Sequence, residues 1–388
     1  MDALASPQTG VSNFASLLIV RLSAMGDIIH TLPAAAALRQ ALPHATLGWL
    51  IEERWAELLC ASRYPRSGPR SPQRPLIDRV HSVNTSEWRR APFSFNTWMQ
   101  MAVGLSQLRG IHYDAVIDFQ GAVRSALLAR WSGAPITFGS AQPREHAASM
   151  LYTRKVLTTD RAHVVEQALE MARSIAPALS EESDSDLPVD PEAEIKIASL
   201  TSDLKIGHLK TGDLRQFAIL NPGAGWGAKR WPPERYGKLA AKLAQDGLTP
   251  LVNYGPGEDL LAGAVEQASD GVAKRVTCSI SELIALTRRA TVFIGGDTGP
   301  LHLAAALKIP VVAIFGPTNP ARNGPFGTRS FVLRSANSVT DHSRHLDPEQ
   351  GLLEITVDEV VSATRSLLQS SHIGARYPAS LDLAESGE

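Results

Sequence analysis

The sequence predicts an α/β protein of two Rossmann-like, doubly wound domains that face a central cleft. Apolar runs typical of buried parallel strands alternate with helix-like segments in both halves of the 388-residue chain. An acidic stretch separates the two halves, and a chain of this length readily forms two domains. Such domains bind ligands at the carboxyl ends of their strands, so we expect the ligand between them.

In the N-terminal half, the predicted strands are residues 17–20, 47–51 and 113–118, and the predicted helices are residues 33–42 and 123–131. We expect Pro33 only in the first turn of its helix, because its ring and missing N–H disrupt a helix interior. The Pro-, Ser- and Arg-rich residues 62–92 are predicted to form a long loop.

Residues 181–194 are acidic and poor in large apolar side chains, so we expect an exposed connection there rather than core. Beyond it the alternation resumes, with predicted strands at residues 217–220, 249–254, 292–296 and 311–315 and a predicted helix at residues 232–245. The predicted organisation is an N-terminal extension at 1–16, a first domain at 17–180, a linker at 181–215, a second domain at 216–370 and a flexible tail at 371–388.

Composition excludes several classes of protein. The apolar content of 44%, charged content of 20% and formal charge of −1 fit a globular protein and argue against nucleic-acid binding. Cys60 and Cys278 are far apart without a partner motif, which argues against disulfides or structural zinc and suits a reducing cytoplasm. Residues 1–16 lack the features of a signal peptide, and no run approaches about 18 apolar residues. We therefore expect a cytoplasmic protein, soluble or at most peripheral on a membrane.

The polar turn that follows the strand at residues 292–296 predicts an anion site. Asp297 or Thr298 could cap the next helix, and Gly299 allows close backbone approach to a ligand. The free N–H groups and helix dipole would then favour a phosphate, although an ordinary capped helix is the alternative. His302, one turn further, could contact the ligand or pack as a hydrogen-bonded internal histidine.

A second candidate is the glycine-rich loop at residues 221–230, where backbone N–H groups could approach an anion. Lys229 would supply a point charge and Arg230 a planar fork for phosphate oxygens, but a solvated basic pair is the alternative. Glu258 could accept hydrogen bonds from sugar hydroxyls or be a surface carboxylate. Cys278 could contact a ligand or be a buried, inert thiol.

Residues 23–27 come directly after the first strand and form the third candidate. Gly26 permits close approach, and Asp27 lies where the loop meets a helix. As a general base, Asp27 would deprotonate a substrate hydroxyl, work worth about 10²–10⁴ in rate. The alternative is that Asp27 simply caps the helix.

Basic residues concentrate in the N-terminal half. Residues 62–92 hold seven arginines against two acids, and residues 124–155 hold five basic residues against one acid. These could receive an acidic acceptor or rest on an anionic membrane, although residues 63–79 could also be a soluble Arg-rich insertion. The better candidates are Arg89, Arg90, Arg124 and Arg144.

Together these features resemble the lipopolysaccharide heptosyltransferases of glycosyltransferase family 9, most closely the heptosyltransferase I type. The likeness extends from about residue 17 to about residue 327. The segments that carry it are residues 23–33, 113–121, 144–145, 229–232, 297–302 and 316–318.

The resemblance implies a GT-B fold and an inverting, metal-independent transfer of heptose from ADP-heptose to a Kdo sugar of lipid A. It further implies work at the cytoplasmic face of the inner membrane, with no cofactor, no nucleic acid and no obligate protein partner. Asp27 corresponds to the base and Lys229 to the lysine that holds the donor diphosphate. The implied donor-binding residues are Ala224, Gly225, Glu258, Cys278, Asp297, Thr298, Gly299 and His302. The expected acceptor-binding residues are Ser23, Gly26, Arg89, Arg90, Arg124 and Arg144.

Two departures leave alternatives open. Ala224 and Gly225 stand where heptosyltransferase I proteins can carry threonines, and Cys278 stands where a methionine can occur. The loop is closer to the heptosyltransferase II type, so transfer to the first heptose is an alternative. A GT-B sugar-nucleotide epimerase and a non-catalytic nucleotide-sugar binder are the others.

Overall fold

The protein contains two six-stranded parallel sheets, each with helices packed on both faces. A computed structural model describes residues 14–91, 93–160, 162–179, 186–204, 216–341 and 343–373. The predicted N-terminal extension and flexible tail therefore lie largely outside the described residues. Among the described helices, none is long and apolar enough to cross a membrane.

The first sheet has the strand order β3-β2-β1-β4-β5-β6. Its strands are β1 Ser16–Val20, β2 Thr46–Glu52, β3 Arg79–Val83, β4 Ala115–Asp118, β5 Ile136–Ser140 and β6 Arg154–Val156. Its helices are α1 Met25–Ala41, α2 Thr85–Arg90, α3 Phe95–Arg109, α4 Val123–Trp131 and α5 Val164–Arg173, with 3₁₀ turns at Glu53–Leu58 and His146–Leu151.

The second sheet has the order β12-β11-β10-β7-β8-β9, which repeats the first when each is counted from its own first strand. Its strands are β7 Phe217–Asn221, β8 Thr249–Asn253, β9 Lys274–Val276, β10 Val292–Gly296, β11 Val311–Phe315 and β12 Ser330–Arg334. The helices are α6 Pro191–Asp203, α7 Pro233–Gln245, α8 Asp259–Ala268, α9 Ile280–Arg288, α10 Gly299–Ala306, α11 Pro320–Asn323, α12 Gln350–Glu354 and α13 Val357–Ile373, with a 3₁₀ turn at Gly227–Lys229. The predicted fold class is confirmed.

Alternation along each central strand explains why both sheet faces are covered. In β1, Leu17 and Ile19 join one buried cluster, whereas Leu18 and Val20 join another on the opposite face. A strand buried on both faces has to be apolar throughout, which is the pattern of a parallel sheet between two helical layers. In each sheet the chain order reverses between the first and fourth strands, and ligands bind α/β sheets at such points.

Helix α1 differs from its prediction, because it begins at Met25 and Pro33 lies in its interior. An interior proline costs about 3 kcal/mol. The turns before it bury Ile28, Ile29 and Leu32 almost completely. This burial offsets the cost of Pro33, so expecting the proline only in a first turn was wrong.

The predicted loop at residues 62–92 contains β3 and α2, so that prediction was wrong in part. The edge strand β3 is held by the buried Val80 and Val83. The Arg-rich part before it folds around Arg74, whose side chain is 1% exposed and donates to four backbone carbonyl oxygens. Local composition could not reveal this, because arginine is seldom a core residue.

The acidic stretch at residues 181–194 is not simply exposed where the structure describes it. Leu187 is buried, and buried Asp190 accepts a hydrogen bond from the backbone of Ser62 at 2.9 Å while capping α6. Helix α6 thus lies within the predicted linker and packs against α9. The exposed-connection interpretation is therefore wrong in part, because buried and exposed residues alternate within 186–194, and the predicted domain boundaries stay predictions.

Candidate active site

The candidate site lies where the loops after β1 and β10 bring α1 and α10 into contact. A Cβ atom on Gly26 would lie 2.7 Å from the His302 ring, and one on Gly299 would lie 2.7 Å from Met25. Only glycine allows these close approaches between the two helix starts. The N-terminal turns of α1 and α10, which follow strands of different sheets, are therefore in direct contact.

Asp27 is the third residue of α1, and its side chain is 44% exposed. Its carboxylate accepts a hydrogen bond from the Ala24 N–H at 3.1 Å and forms an ion pair with Arg21 at 3.1 Å. The capping alternative thus describes one of its contacts. The carboxylate nevertheless remains accessible, as a base would have to be. Its role as a base stays a prediction.

Arg21 is a site residue that sequence reasoning missed. Its guanidinium contacts Asp27 and also donates to the carbonyl oxygen of Phe119 after β4. Since its side chain is only 16% exposed, the guanidinium is a fixed support that orients the carboxylate. Its position directly after the first strand was the available signal.

Among the predicted acceptor residues, Arg124 links two loops. Its guanidinium donates to the Ser23 hydroxyl at 3.1 Å and to the Thr85 hydroxyl at 3.3 Å. Thr85 in turn hydrogen-bonds the buried carboxylate of Glu52. The structure therefore brings the predicted residues Ser23 and Arg124 together, whereas the predicted Gly26 lies against His302.

The loop after β4 is held by the buried Asp118, which sequence reasoning did not single out as a site residue. Asp118 accepts hydrogen bonds from Tyr152 and Ser125, each at 2.8 Å, and from the Gln120 N–H at 2.9 Å. Burial raises the pKa of Asp118 despite these bonds. Gln120 then accepts from the Ser23 N–H at 3.3 Å, so Asp118 positions the loop that carries Ser23.

The other predicted acceptor residues lie at the rim of this surface. Arg89 and Arg90 are exposed in the last turn of α2, and Arg144 is exposed beside Gly121. Within the described ranges, none of these three arginines forms a hydrogen bond or an ion pair. Their charges are available for an acidic ligand, and their acceptor contacts stay predictions.

On the facing domain, Lys229 contacts the turn before α10. Its Nζ lies 2.6 Å from Asp297, whose other carboxylate oxygen lies 3.0 Å from His302 Nε2. Burial raises the pKa of Asp297, but the His302 hydrogen bond and the Lys229 charge outweigh burial and hold that pKa well below its ordinary value. Asp297 therefore remains a carboxylate that positions Lys229.

The expectation that Asp297 or Thr298 caps α10 is right about the position, which Thr298 holds, but wrong about a side-chain cap. Thr298 occupies the cap position without a side-chain bond to the helix, and its hydroxyl donates to Gly296 instead, at 3.2 Å. The Asp297 carboxylate is taken by Lys229 and His302. The start of α10 thus keeps N–H groups that no side-chain cap occupies, which suits an anion.

Three histidines extend this network across both domains. His302 Nδ1 lies 3.1 Å from His30 Nε2, His30 packs edge-on against His163, and His163 donates to the Gly324 carbonyl oxygen at 3.1 Å. Burial, together with the neighbouring His302 and His163, lowers the pKa of His30 well below its ordinary value. Both ring nitrogens of His302 are engaged within the protein, so its contact with a donor stays a prediction.

The glycine-rich loop at residues 221–230, the predicted donor loop, lies against Glu258. A Cβ atom on Gly223 would lie 2.3 Å from the Glu258 carboxylate, while Asn221 hydrogen-bonds the Gly223 carbonyl at 3.1 Å and Thr298 at 3.4 Å. Gly225 is exposed, and a Cβ atom there would meet nothing within 4 Å beyond its chain neighbours. Glu258 and Thr298 therefore both lie against residues of this loop, in which Gly225 is exposed.

The remaining predicted donor residues are less open. Ala224 is buried, and its carbonyl accepts from Arg230 at 3.0 Å, so Arg230 braces the loop. Cys278 packs at the junction of two buried clusters, and burial, with nearby Glu282, raises its pKa to about 12. The thiol is therefore inert at neutral pH, and its donor contact stays a prediction.

Comparison with known proteins adds independent findings. Residues 105–353 match the sequence model of Glycosyltransferase family 9 (heptosyltransferase). Lipopolysaccharide heptosyltransferase 1 of Pseudomonas aeruginosa is 28% identical over 82% of this chain and 83% of its own. The protein of that name from Escherichia coli K12 is 27% identical over 90% of this chain and 99% of its own.

Solved structures agree in fold. The E. coli heptosyltransferase WaaC with ADP superposes with a TM-score of 0.71 at 26% identity, over 91% of this chain and 99% of that one. The E. coli ADP-heptose LPS heptosyltransferase II reaches a TM-score of 0.70 at 20% identity, over 92% and 99% of the two chains. At that identity, the second likeness supports the fold alone.

Proposed function

The chain belongs to glycosyltransferase family 9, the heptosyltransferases, and we propose that it transfers heptose from ADP-heptose to a Kdo sugar of nascent lipid A. The supporting observation is that α1 and α10 are in contact and that each brings a charged group: Asp27, an accessible carboxylate in the first turn of α1, and Lys229, a cation ion-paired with Asp297 directly before α10. The setting would be lipopolysaccharide core synthesis, at the cytoplasmic face of the inner membrane.

Asp27 would act on the acceptor. Its carboxylate takes the proton of an acceptor hydroxyl while that oxygen forms a bond to the anomeric carbon of heptose. Arg21 holds the carboxylate in place from within the loop. Attack from the face opposite the departing ADP inverts the configuration at that carbon.

Lys229 would act on the leaving group. The bond between the anomeric carbon and the diphosphate breaks with its electron pair on a phosphate oxygen, where negative charge grows. Lys229 and the N–H groups at the start of α10 stabilise that charge, which is the role a metal ion fills in other transferases. The proposed reaction is therefore metal-independent.

Basic residues would receive the acceptor. Kdo carboxylates and lipid A phosphates each present a pair of oxygens that a planar guanidinium group can bind in a bidentate manner. Arg124 is already part of the surface around Ser23, and Arg89, Arg90 and Arg144 stand at its rim. The proposed acceptor thus enters from the N-terminal domain.

A second acceptor is favoured by the donor loop, where Ala224 and Gly225 replace the threonines of the heptosyltransferase I type. The alternative is transfer to the first heptose of the core. Family membership favours either transfer over the epimerase and the non-catalytic binder.

The test is to incubate the purified chain with ADP-heptose and a chelator, plus Kdo-modified lipid A, heptosylated lipid A or no acceptor. We expect ADP release and a product heavier by one heptose with Kdo-modified lipid A, and neither without an acceptor. Transfer only to the heptosylated lipid A would show that the acceptor is the first heptose and not the Kdo sugar. ADP release that depends on a divalent metal would overturn the metal-independent mechanism.

A further inference from the structure

Helix α3 leaves several of its large apolar side chains exposed. Among its fifteen residues only Thr97 and Leu108 are fully buried, whereas Phe95 is 77%, Trp98 58% and Met99 50% exposed. Phe93, in the connection before the helix, is 93% exposed. Soluble proteins rarely leave so many large apolar groups together on one surface, so this patch indicates an interaction surface.

The exposed residues form one continuous stripe. Positions 95, 98, 99, 102 and 103 follow the spacing that places residues on one face of a helix. The opposite face contains Thr97 and Leu108 and packs against β3. The stripe, with Phe93, therefore points away from the domain and is named here the α3 stripe.

The charges around the α3 stripe indicate which partner fits it. Between Glu87 and Asp114 the chain has no acidic residue but has three arginines, Arg89, Arg90 and Arg109. Arg89 and Arg90 are exposed in the short helix just before the stripe. Tryptophan and phenylalanine favour the membrane interface, and neighbouring arginines are attracted to anionic headgroups.

We propose that the α3 stripe docks onto the surface of an anionic phospholipid bilayer. Helix α3 would lie in the plane of the interface with its apolar face about 5–10 Å into the headgroup region, as amphipathic surface helices do. The proposal extends the proposed function, since it names the surface on which a lipid-linked acceptor would be met.

The place of the α3 stripe in the fold supports this role. Helix α2 begins at the carboxyl end of β3, and its first residue, Thr85, hydrogen-bonds Arg124 beside Ser23. The chain then returns along the sheet through α3 to the amino end of β4, so Phe95 lies nearer the acceptor surface than Arg109. A bilayer that contacts the stripe would therefore lie beside the opening through which the acceptor enters.

The test is sedimentation of the full chain with phosphatidylcholine vesicles that contain or lack phosphatidylglycerol. We expect binding to the anionic vesicles, and a loss of at least about tenfold in the Phe95→Ser/Trp98→Ser double variant, because two apolar anchors are removed. The matched control is Ile195→Ser, which removes a 72% exposed side chain from α6 and should bind like the unaltered protein. Thermal unfolding of both variants should match the unaltered protein, since the replaced side chains are exposed.

Equal vesicle binding by the double variant, or no binding by the unaltered protein, would overturn the proposal. Binding only to vesicles that carry the lipid acceptor would assign the α3 stripe to the acyl chains of that acceptor and would also overturn it. With an acyl-free Kdo acceptor in solution, the double variant should turn over at the unaltered rate. Failure of the unaltered protein to transfer heptose to any acceptor would instead refute the proposed function and leave the vesicle result standing.

Discussion

Replacing Lys229 by methionine should separate its structural contribution from its role in catalysis. The Lys229 side chain is 19% exposed and that of Asp297 is 8% exposed. In the variant, the buried Asp297 carboxylate loses its cation and keeps its hydrogen bond to His302. Removing one partner of a buried ion pair costs about 3–5 kcal/mol of folding stability. Since His302 stays in place, we expect a loss near the lower end of that range.

The loss in turnover should be separate and comparable in size. If Lys229 stabilises the departing diphosphate, its removal lowers kcat by on the order of 10²–10³, or about 3–4 kcal/mol of barrier. In the double variant Lys229→Met/Asp297→Asn, no buried charge is left unpaired, so folding stability should largely return. Turnover should not return, because the cation is still missing.

The assay is chemical denaturation for stability and, for turnover, ADP release at saturating ADP-heptose and Kdo-modified lipid A. Lys242→Met is the matched control, because it breaks an exposed lysine–aspartate pair with Asp358 and should cost less than about 1 kcal/mol without affecting turnover. The reasoning is refuted if Lys229→Met keeps a turnover within about threefold of the unaltered protein, or if the double variant recovers turnover along with stability.

Two further predictions concern stability. Burial, with the charge of Arg79, lowers the pKa of His81 to about 4. Below about pH 6.5 the unfolded chain therefore binds more protons than the folded protein at this histidine. The free energy of unfolding is full above about pH 6.5 and falls as the pH drops towards 4. At pH 5 His81 alone should remove about 2 kcal/mol of the free energy of unfolding, and buried His30 should lower it further. Denaturation midpoints that do not change between pH 7.5 and 5 would contradict both effects. Gly26→Ala should destabilise the protein by about 1–3 kcal/mol, because its methyl group would meet a His302 ring that Asp297 and His30 hold in place. Gly263→Ala in α8, where a Cβ meets nothing within 4 Å, should be neutral or stabilising, and equal thermal shifts for the two variants would count against the close contact of α1 and α10.

Central strands could be predicted closely from the sequence. Strands β10 and β11 and helix α4 have the bounds that their apolar patterns predict. A strand buried on both faces is a continuous apolar run, and its ends are marked by glycine or polar residues. The likeness to the heptosyltransferases, carried by short motifs after such strands, is confirmed by the family match.

Edge elements were harder to predict, because their burial depends on distant parts of the chain. Strand β3 has only Val80 and Val83 as buried apolar residues and is surrounded by arginines. Asp190 is buried where the backbone of Ser62, 128 positions away, donates to it. No local pattern contains that information.

The candidate site shows the same limit. Asp27, Lys229 and Asp297 could be predicted as site residues because each lies in a distinctive loop after a strand. Arg21, which contacts Asp27, and His30, which meets His302 from 272 positions away, were not found. Their roles come from contacts between loops and between domains, which only the fold brings about.

If Asp27 and Lys229 act on opposite sides of one anomeric carbon, the Asp27→Asn variant should lose proton removal from the acceptor and nothing else. The measurement is the single-turnover rate of heptose transfer at saturating ADP-heptose and Kdo-modified lipid A, with donor affinity determined alongside. We expect a rate lower by about 10²–10⁴ with unchanged donor affinity. A rate within about threefold of the unaltered protein would contradict Asp27 as the base and with it the proposed mechanism.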